Sequence, residues 1–247
     1  MKEWISGRNP VYEVFQAGRR QLFRLWVAQG VEEAGRLREI LRLTKNQHLP
    51  LERVPRQKLD GLAQNHQGVA LEASGYPYVY LPDILALAES RGEPLFILAL
   101  DVLQDPQNLG TLLRTAEAVG VHGVLLPPRR AAGVTPAVVH SSSGASEHML
   151  VAQANLAQAI ADLKKAGAWV TGLEGSPQAQ PVEQSRLDGP LVLVVGNEGD
   201  GLRPLVRQSC DQLVRLPMLG KVDSLNAAVA GSVVLYMALQ ARQKPTR

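Results

Sequence analysis

The strongest constraint on the fold comes from six short apolar runs in the second half of the chain, none of which alternates with polar residues. LFILALDV and LVLVVG are the clearest of these runs, and stretches with helical periodicity separate them. Strands of a parallel sheet are covered by helices on both faces, so they are apolar throughout. The pattern therefore predicts an α/β domain built on a parallel sheet. The predicted strands are LFILALDV, GVLLP, MLVAQ, AWVTGL, LVLVVG and QLVRLP, and the predicted helices cover residues 109–119, 155–166, 201–209 and 224–241.

Helical and strand patterns also alternate in residues 1–76, where they predict a second, smaller α/β sandwich. This segment holds 12 lysines and arginines against 8 acidic residues. The excess suits contact with nucleic-acid phosphates, although a slightly basic solvated surface explains it equally well. Residues 77–93 predict a linker with one helix that docks on the next domain, which leaves residues 94–247 as the larger domain.

Composition limits the class of protein. Of the 247 residues 45% are apolar, which allows a substantial core, and the single cysteine, Cys210, is expected to be a small buried apolar group. The N-terminal MKEWISGRNP lacks the apolar centre of a signal peptide, and no run approaches the roughly 20 apolar residues that cross a bilayer. We therefore expect a soluble cytoplasmic protein without a membrane segment.

The first stretch with chemical potential is DPQNLGTLLRTAEAVG, residues 105–120, directly after a predicted strand. Asn108 offers an amide donor and acceptor, and Gly110 allows another group to approach the backbone closely. Arg114 is expected in the first turns of the following helix, where the helix dipole disfavours a cation. An anionic or electron-rich ligand would compensate. The alternative is a capped helix with a surface arginine.

The second stretch, LVLVVGNEGDGL at 191–202, predicts a buried strand, a glycine-rich turn and a helix. Such a junction at the carboxyl edge of a sheet commonly binds a nucleotide-like ligand. Its glycines fit neither GxGxxG nor a phosphate loop, so the motif indicates neither NAD nor ATP. Glu198 is a carboxylate that could accept from a ligand or pair with an arginine, unless it only supplies a favourable charge to a helix start.

The third stretch, residues 216–239, predicts a strand end, a loop and a long apolar helix capped by Asp223 or Ser224. Small side chains in the first half of this helix allow close packing, and its apolar face suggests burial against another subunit. Ser224 and Asn226 bring a hydroxyl and an amide to the helix start. His140, Glu147 and His148 do not have the spacing of a usual metal site, so a structural role is the better interpretation and no metal is expected.

Together these stretches resemble the motifs of the SpoU family of RNA ribose 2′-O-methyltransferases, in the SPOUT superfamily. The motif N-x-G-x-x-x-R corresponds to Asn108, Gly110 and Arg114, the second motif to GNEGDG at 196–201, and the third to PMLGKVDSLN at 217–226. The match extends over residues 95–241. Residues 1–76 resemble the family's small substrate-binding domain, which is similar to L30e-type RNA binders. The layout of the whole chain is most similar to bacterial 23S rRNA (guanosine-2′-O-)-methyltransferases of the RlmB type.

The resemblance implies S-adenosylmethionine as methyl donor, a deep C-terminal trefoil knot, RNA as substrate, and a homodimer that uses the last helix. It implies a catalytic Arg114 that orients the ribose hydroxyl, held by Glu198 and Asn108, with Ser224 and Asn226 positioning the nucleotide. The residues that it assigns to the donor are Gly172, Leu173, Gly196, Gly201, Leu216, Met218 and Leu225. The arginines expected to hold RNA phosphates are Arg8, Arg19, Arg20 and Arg24.

Three other functions stay open at this point. A tRNA ribose 2′-O-methyltransferase of the same family would carry the same motifs. A non-catalytic RNA-binding protein of ribosome assembly could use both domains without methyl transfer. A nicotinamide-dependent oxidoreductase is disfavoured because the chain lacks GxGxxG.

Overall fold

A computed structural model of the chain describes residues 2–129, 131–197, 201–222 and 224–243. The packing of the chain divides it into two compact units. The N-terminal unit comprises the chain up to Pro77 together with Val134–His148, and the C-terminal unit comprises Tyr78–Gly133 and Met149–Arg247. The predicted boundaries at 76 and 94 remain a prediction. The structure groups residues 134–148, which lie inside the predicted larger domain, with the N-terminal unit.

The N-terminal unit is built on a four-stranded sheet in the order β1-β4-β2-β3. Strands β2 and β3 are parallel, and the other neighbours are antiparallel. The sequence pattern did not predict β1, whose residues are apolar only at its inner end. Ile5 of this strand is fully buried and pairs with Leu71. The strands are β1 (Lys2–Ser6), β2 (Leu22–Ala28), β3 (Leu51–Val54) and β4 (Val69–Ser74).

Three helices connect the four strands of this unit. Helix α1 (Arg8–Ala17) ends at Gly18, which adopts φ 61° and donates its N–H to the carbonyl of Val14. Helix α2 (Arg36–Asn46) turns Leu37 and Ile40 into the core. Helix α3 (Arg56–Asp60) is a single short turn.

Residues 134–148 are fixed to the N-terminal unit by a buried ion pair. Arg20 and Glu147 have fully buried side chains, and two guanidinium nitrogens of Arg20 each donate to the carboxylate at 2.8 Å. Glu3 accepts a further bond from Arg20 at 3.0 Å. A buried charge is tolerated only with such partners, because desolvation costs several kcal/mol for each ion. The segment forms helix α6 (Pro136–Ser141) and a 3₁₀ turn over Ala145–His148.

The C-terminal unit is built on a seven-stranded parallel sheet in the order β7-β6-β5-β10-β8-β11-β9. All six predicted strands are present and every pairing is parallel, which confirms the expectation drawn from the apolar runs. The seventh strand, β9, consists of two residues at the edge of the sheet, and the sequence pattern did not predict it. The strands are β5 (Phe96–Leu100), β6 (Gly123–Leu126), β7 (Val151–Gln153), β8 (Trp169–Leu173), β9 (Gln180–Pro181), β10 (Leu191–Val195) and β11 (Gln212–Arg215).

Helices cover this sheet and complete the core. Helix α4, in the predicted linker, buries Ile84 and Ala88 in a cluster with residues of β5, β6 and β7. A 3₁₀ turn lies at Val182–Gln184. The helices are α4 (Leu81–Arg91), α5 (Pro106–Ala118), α7 (Leu156–Lys165), α8 (Pro204–Ser209) and α9 (Ala227–Gln243). Within the described ranges no helix is both long and apolar enough to cross a bilayer.

Candidate active site

The carboxyl ends of three neighbouring strands of the C-terminal unit open into a cavity of about 1100 Å³. Leu173 ends β8, Val195 ends β10, and Leu216 follows β11. Ala227 and Ala230, in the first turn of α9, line it as well. Parallel strands bring their carboxyl ends to one edge, which is where ligands of open α/β sheets bind.

Six of the seven predicted donor-binding residues line this cavity, and so does Ser224. The six are Leu173, Gly196, Gly201, Leu216, Met218 and Leu225. The structure does not bring the seventh, Gly172, to the cavity. A Cβ at position 172 would lie 2.8 Å from side-chain atoms of Leu202 and Leu213 and 2.9 Å from Cys210 Sγ, so the missing side chain serves packing.

The glycine-rich turn after β10 is closed by its own backbone. Asn197 and Gly201 each donate an N–H to the other's carbonyl at 3.1 Å. A Cβ at Gly196 would collide with the backbone carbonyl of Gly201 and would lie 2.8 Å from the nitrogen of Leu202. Position 196 therefore admits only glycine. Glu198, predicted to hold Arg114, lies outside the described residues.

A buried carboxylate fixes the chain on the far side of that turn. The backbone N–H of Asp101, at the end of β5, donates to the carbonyl of Val195 at 2.8 Å. The fully buried Asp101 carboxylate accepts the backbone N–H of Arg203 at 2.8 Å and its Nε at 2.7 Å. Asp101 thus ties the end of β10 to the start of α8. Strand patterns did not predict this role for Asp101, because its partner is 102 residues away in sequence.

An ion pair that the sequence did not predict lines the same cavity. Arg207 Nε donates to Glu174 Oε2 at 2.8 Å. Burial alone would raise the pKa of Glu174, but the hydrogen bond from Arg207 and the charge of Arg207 outweigh it and hold that pKa below its ordinary value. The cavity therefore contains an ionised carboxylate. Its position directly after Leu173, at the end of a strand, was the available sequence signal.

Two residues of the first and third motifs meet at the start of α9. Asn226 Nδ2 donates to Asn108 Oδ1 at 3.0 Å. The Asn226 side-chain oxygen accepts the N–H groups of Ala228 and Val229 at 2.9 and 3.1 Å. Asn226 is therefore the helix cap, and the prediction of Ser224 was wrong because the helix begins only at Ala227. Asp223, the other predicted cap, is outside the described residues.

Helices α5 and α9 pack closely, as the small residues in the first half of the predicted apolar helix indicated. A Cβ at Gly231 would lie 2.8 Å from Leu112 Cδ2 and 3.2 Å from Val195 Cγ2. The hydroxyls of Thr115 and Ser232 are 2.9 Å apart. The helices approach because glycine and hydroxyl side chains replace bulkier ones at the contact.

Arg114 lies in the middle of α5, and the expected position in the first turns was wrong. Asp105 caps the helix by accepting the N–H of Gln107 at 3.0 Å, and Pro106 opens it. The helix thus begins three residues earlier than predicted, and the dipole argument does not apply to Arg114. The side chain is exposed on the same face as Gly110, one turn earlier. Arg114 is not among the described lining residues of the cavity.

All four arginines predicted to hold RNA make contacts within the N-terminal unit, Arg8 with the backbone carbonyls of Gln67 and Glu32. Arg20 is wrong as an RNA contact because its side chain is buried against Glu147. Arg24 pairs with Glu72 at 2.9 Å and lies over the rings of Trp4 and Trp26. Arg19 donates to the Tyr76 hydroxyl and to the carbonyls of Pro77 and Glu147. Arg8 lines a second cavity.

The weaker sequence features have structural partners. His148 Nε2 lies 2.9 Å from a carboxylate oxygen of Glu13, and His140 lies near the carbonyl of Ser6. Cys210 is partly buried, and burial raises the pKa of its thiol to about 12. A thiol with this pKa is not a nucleophile near neutral pH.

In a comparison with known proteins, each of two parts of the chain matches a protein family. Residues 95–236 match the SpoU rRNA Methylase family, and residues 4–79 match the RNA 2′-O ribose methyltransferase substrate binding family. The Bacillus subtilis (strain 168) protein YacO, named as a TrmH family tRNA/rRNA methyltransferase, is 41% identical over 244 residues and covers 97% of this chain and 96% of its own.

Solved structures share the fold. The SpoU methyltransferase AviRb from Streptomyces viridochromogenes, in complex with AdoMet, superposes with a TM-score of 0.79 at 24% identity, over 97% of this chain and 90% of AviRb. A crystal structure of an RNA 2′-O ribose methyltransferase gives 0.78 at 25% identity, over 97% and 88% of the two chains. Motifs, cavity and similarities agree, and the chain therefore belongs to the SpoU family of RNA methyltransferases.

Proposed function

We propose that this chain methylates a ribose 2′-hydroxyl of RNA with S-adenosylmethionine as donor, and that its substrate is a guanosine of 23S rRNA, as in enzymes of the RlmB type. One observation carries the proposal: six of the seven residues that the family motifs assign to the donor line a single cavity. The names of two structures with this fold, AdoMet-bound AviRb and an RNA 2′-O ribose methyltransferase, support the donor and the acceptor.

The cavity residues fit this donor in size and chemistry. The cavity has a volume of about 1100 Å³, which is ample, since ligand pockets commonly have volumes of roughly 300–1,000 Å³. Leu216, Met218 and Leu225 offer apolar contact for an adenine, and the glycine turn at Gly196 offers backbone groups without side chains. Glu174, kept ionised by Arg207, is suited to accept hydrogen bonds from the ribose hydroxyls of the donor. When bound, S-adenosylmethionine supplies an electrophilic methyl group on a sulfonium.

The chain's own contribution is to prepare the RNA hydroxyl, which is a poor nucleophile while neutral. Arg114 orients the hydroxyl and stabilises the charge that develops on its oxygen, and the RNA's own phosphate accepts the proton. A guanidinium keeps its proton, so it acts as a donor and not as a base. Glu198 and Asn108 hold Arg114, and Ser224 and Asn226 position the nucleotide. The bond between Asn226 and Asn108 supports their joint action.

The proposal includes a homodimer formed through α9. Three apolar side chains of this helix, Val229, Val233 and Tyr236, are 49%, 41% and 49% exposed. Their spacing aligns them along one face, and a surface stripe of this kind favours burial against a second copy. The trefoil knot implied by the resemblance and a cytoplasmic location are also part of the proposal.

The test offers the purified protein methyl-labelled S-adenosylmethionine and unmodified transcripts of 23S rRNA, 16S rRNA and a tRNA pool. We expect label in 23S rRNA. Label in tRNA alone would instead support the tRNA methyltransferase alternative, for which the relatives' names give an argument. Binding of 23S rRNA without methyl transfer to any transcript would support the non-catalytic alternative.

A further inference from the structure

A second cavity, of about 580 Å³, lies in the N-terminal unit beside the start of α1 and the end of β2. Its size is within the range of pockets that hold small ligands. The sequence patterns singled out only one of its residues. The polar side chains that line it are Arg8, Asn9, Gln29, Arg36, Arg56 and Gln67.

This cavity concentrates positive charge. Three arginines line it, and its described lining contains no aspartate or glutamate. Arg36 uses one nitrogen on Glu39 at 3.0 Å and lies over the Tyr12 ring at 3.8 Å, which leaves most of its five donors for other partners. Arg56 has no ion-pair partner among residues 2–129, 131–197, 201–222 and 224–243. Arg20 and Arg24, in contrast, are neutralised by carboxylates.

One wall of the cavity is formed by two residues, Gln67 and Gly68, whose backbone conformation is rare. Gln67 has φ 54° and Gly68 φ 81°, in the left-handed region. The Gln67 side-chain oxygen accepts a hydrogen bond from the backbone N–H of Arg8 at 2.9 Å. The Gln67 backbone carbonyl accepts one from Arg8 Nε at 3.2 Å. A Cβ at Gly68 would lie 2.7 Å from Val31 Cγ2, so the glycine is needed for this turn to close on Val31. Strained backbone held by local bonds is typical of binding sites.

We propose that this cavity binds one nucleotide of the RNA strand, with its phosphodiester on the guanidinium groups of Arg36 and Arg56 and its base edge on the amides of Asn9 and Gln29. Guanidinium groups match phosphate oxygens in geometry, and amide side chains can donate to and accept from a base. An acidic peptide would satisfy the arginines but not the amides. The proposal rests on the proposed function, since it takes the methylated RNA as the ligand.

The test compares two variants that each remove two positive charges from the N-terminal unit. Arg36→Gln/Arg56→Gln alters the cavity. Arg42→Gln/Lys45→Gln alters exposed residues of α2, the helix that begins with Arg36, and these residues lie outside the cavity. Binding of a fluorescent fragment of 23S rRNA is followed by anisotropy at several salt concentrations. We expect the cavity variant to bind at least tenfold more weakly. Its slope of log K against log salt should be smaller by about 0.7, which corresponds to one lost phosphate contact.

The control variant should lie within twofold of the wild type, and thermal unfolding should be unchanged in both. In methyl transfer, the cavity variant should show a raised KM for RNA with kcat within twofold. Equal weakening by both variants, or none by the cavity variant, would overturn the proposal. Failure of the proposed function has a different signature: the wild type would transfer no methyl group, while the two variants would still differ in RNA affinity. Arg56→Lys, which keeps a charge, should recover part of the affinity.

Discussion

At the scale of single residues, the cavity of the C-terminal unit depends on two features: the absence of a side chain at Gly196 and the hydrogen bonds from Arg203 to the Asp101 carboxylate. The first lets two backbone segments touch, and the second anchors the chain after the turn through Arg203. The sequence could indicate a glycine-rich turn, because its glycines follow an apolar strand. It could not indicate that Asp101 holds Arg203, since nothing local marks a partner so distant in the chain.

Replacement of Gly196 by alanine should destabilise the protein by about 3 kcal/mol, the upper end of the usual cost of overpacking. The added methyl group meets backbone atoms of Gly201 and Leu202, which cannot move as a flexible side chain would. The free energy of unfolding is measured in urea. Gly175→Ala is the matched control, because Gly175 lines the same cavity and has no atom within 4 Å of a Cβ. Equal stability of the two variants would contradict this account of the turn.

Replacement of Arg114 by lysine should lower kcat for methyl transfer by about 10²–10³, the usual cost of losing one donor to a developing oxyanion. A lysine keeps the charge but loses the forked geometry. Binding of S-adenosylmethionine, measured by calorimetry, should stay within twofold. Arg186→Lys, at an exposed site where Arg186 pairs with Asp188, is the control and should retain full activity. Full activity of the Arg114 variant would disprove the geometric role.

At the scale of elements, most strands were predictable, whereas the starts of α5 and α9 were not. An apolar run such as β10 indicates a buried parallel strand by itself. The start of a helix depends on which polar side chain turns back onto the backbone, and Asn226 did so where Asp223 or Ser224 was expected. Strand β1 escaped prediction because pairing with β4, far along the chain, stabilises it.

One histidine, at the start of the neighbouring strands β5 and β6, should make the stability of the protein depend on pH. His122 is 1% exposed, its Nδ1 accepts the N–H of Phe96 at 3.0 Å, and its Nε2 lies 2.9 Å from Glu93. Burial lowers the pKa of His122, and Glu93 offsets this only in part. The unfolded chain therefore binds the proton more readily. The free energy of unfolding should fall as pH drops below about 6.5, the ordinary histidine value.

The measurement is urea unfolding between pH 7 and 5 for the wild type and His122→Asn. Asparagine retains an acceptor for the Phe96 N–H but does not titrate, so the variant should show a shallower decline in stability toward pH 5. The exposed His48 provides the control, and His48→Asn should follow the wild type. Identical pH profiles for the wild type and the His122 variant would show that this histidine does not contribute.

At the scale of the whole molecule, the N-terminal unit is not one continuous stretch of sequence, because residues 134–148, inside the predicted larger domain, belong to it. Residues 134–148 contribute Glu147 to the core of the N-terminal unit. No composition shift marks this segment. Its assignment depends on a buried ion pair whose partners, Arg20 and Glu147, are 127 residues apart in sequence.

A charge on the exposed face of α9 should prevent self-association if the chain is a homodimer. Val233→Glu introduces a carboxylate into the apolar stripe, and its burial against a second copy would be costly. Light scattering after gel filtration should give the mass of one chain for this variant and of two for the wild type. Leu205→Glu, at a 70% exposed apolar residue of α8, should leave the dimer intact. A wild type with the mass of a single chain would contradict the proposed dimer.

The position of the transferred methyl group tests the central claim most directly. Alkali cleaves RNA through the free 2′-hydroxyl, so a 2′-O-methylated nucleotide resists cleavage, whereas a base-methylated one does not. 23S rRNA labelled by the enzyme is hydrolysed in alkali and its products are identified by mass spectrometry. The account predicts label in alkali-resistant dinucleotides that contain 2′-O-methylguanosine. Label that is recovered entirely in mononucleotides, as a methylated base, would contradict it.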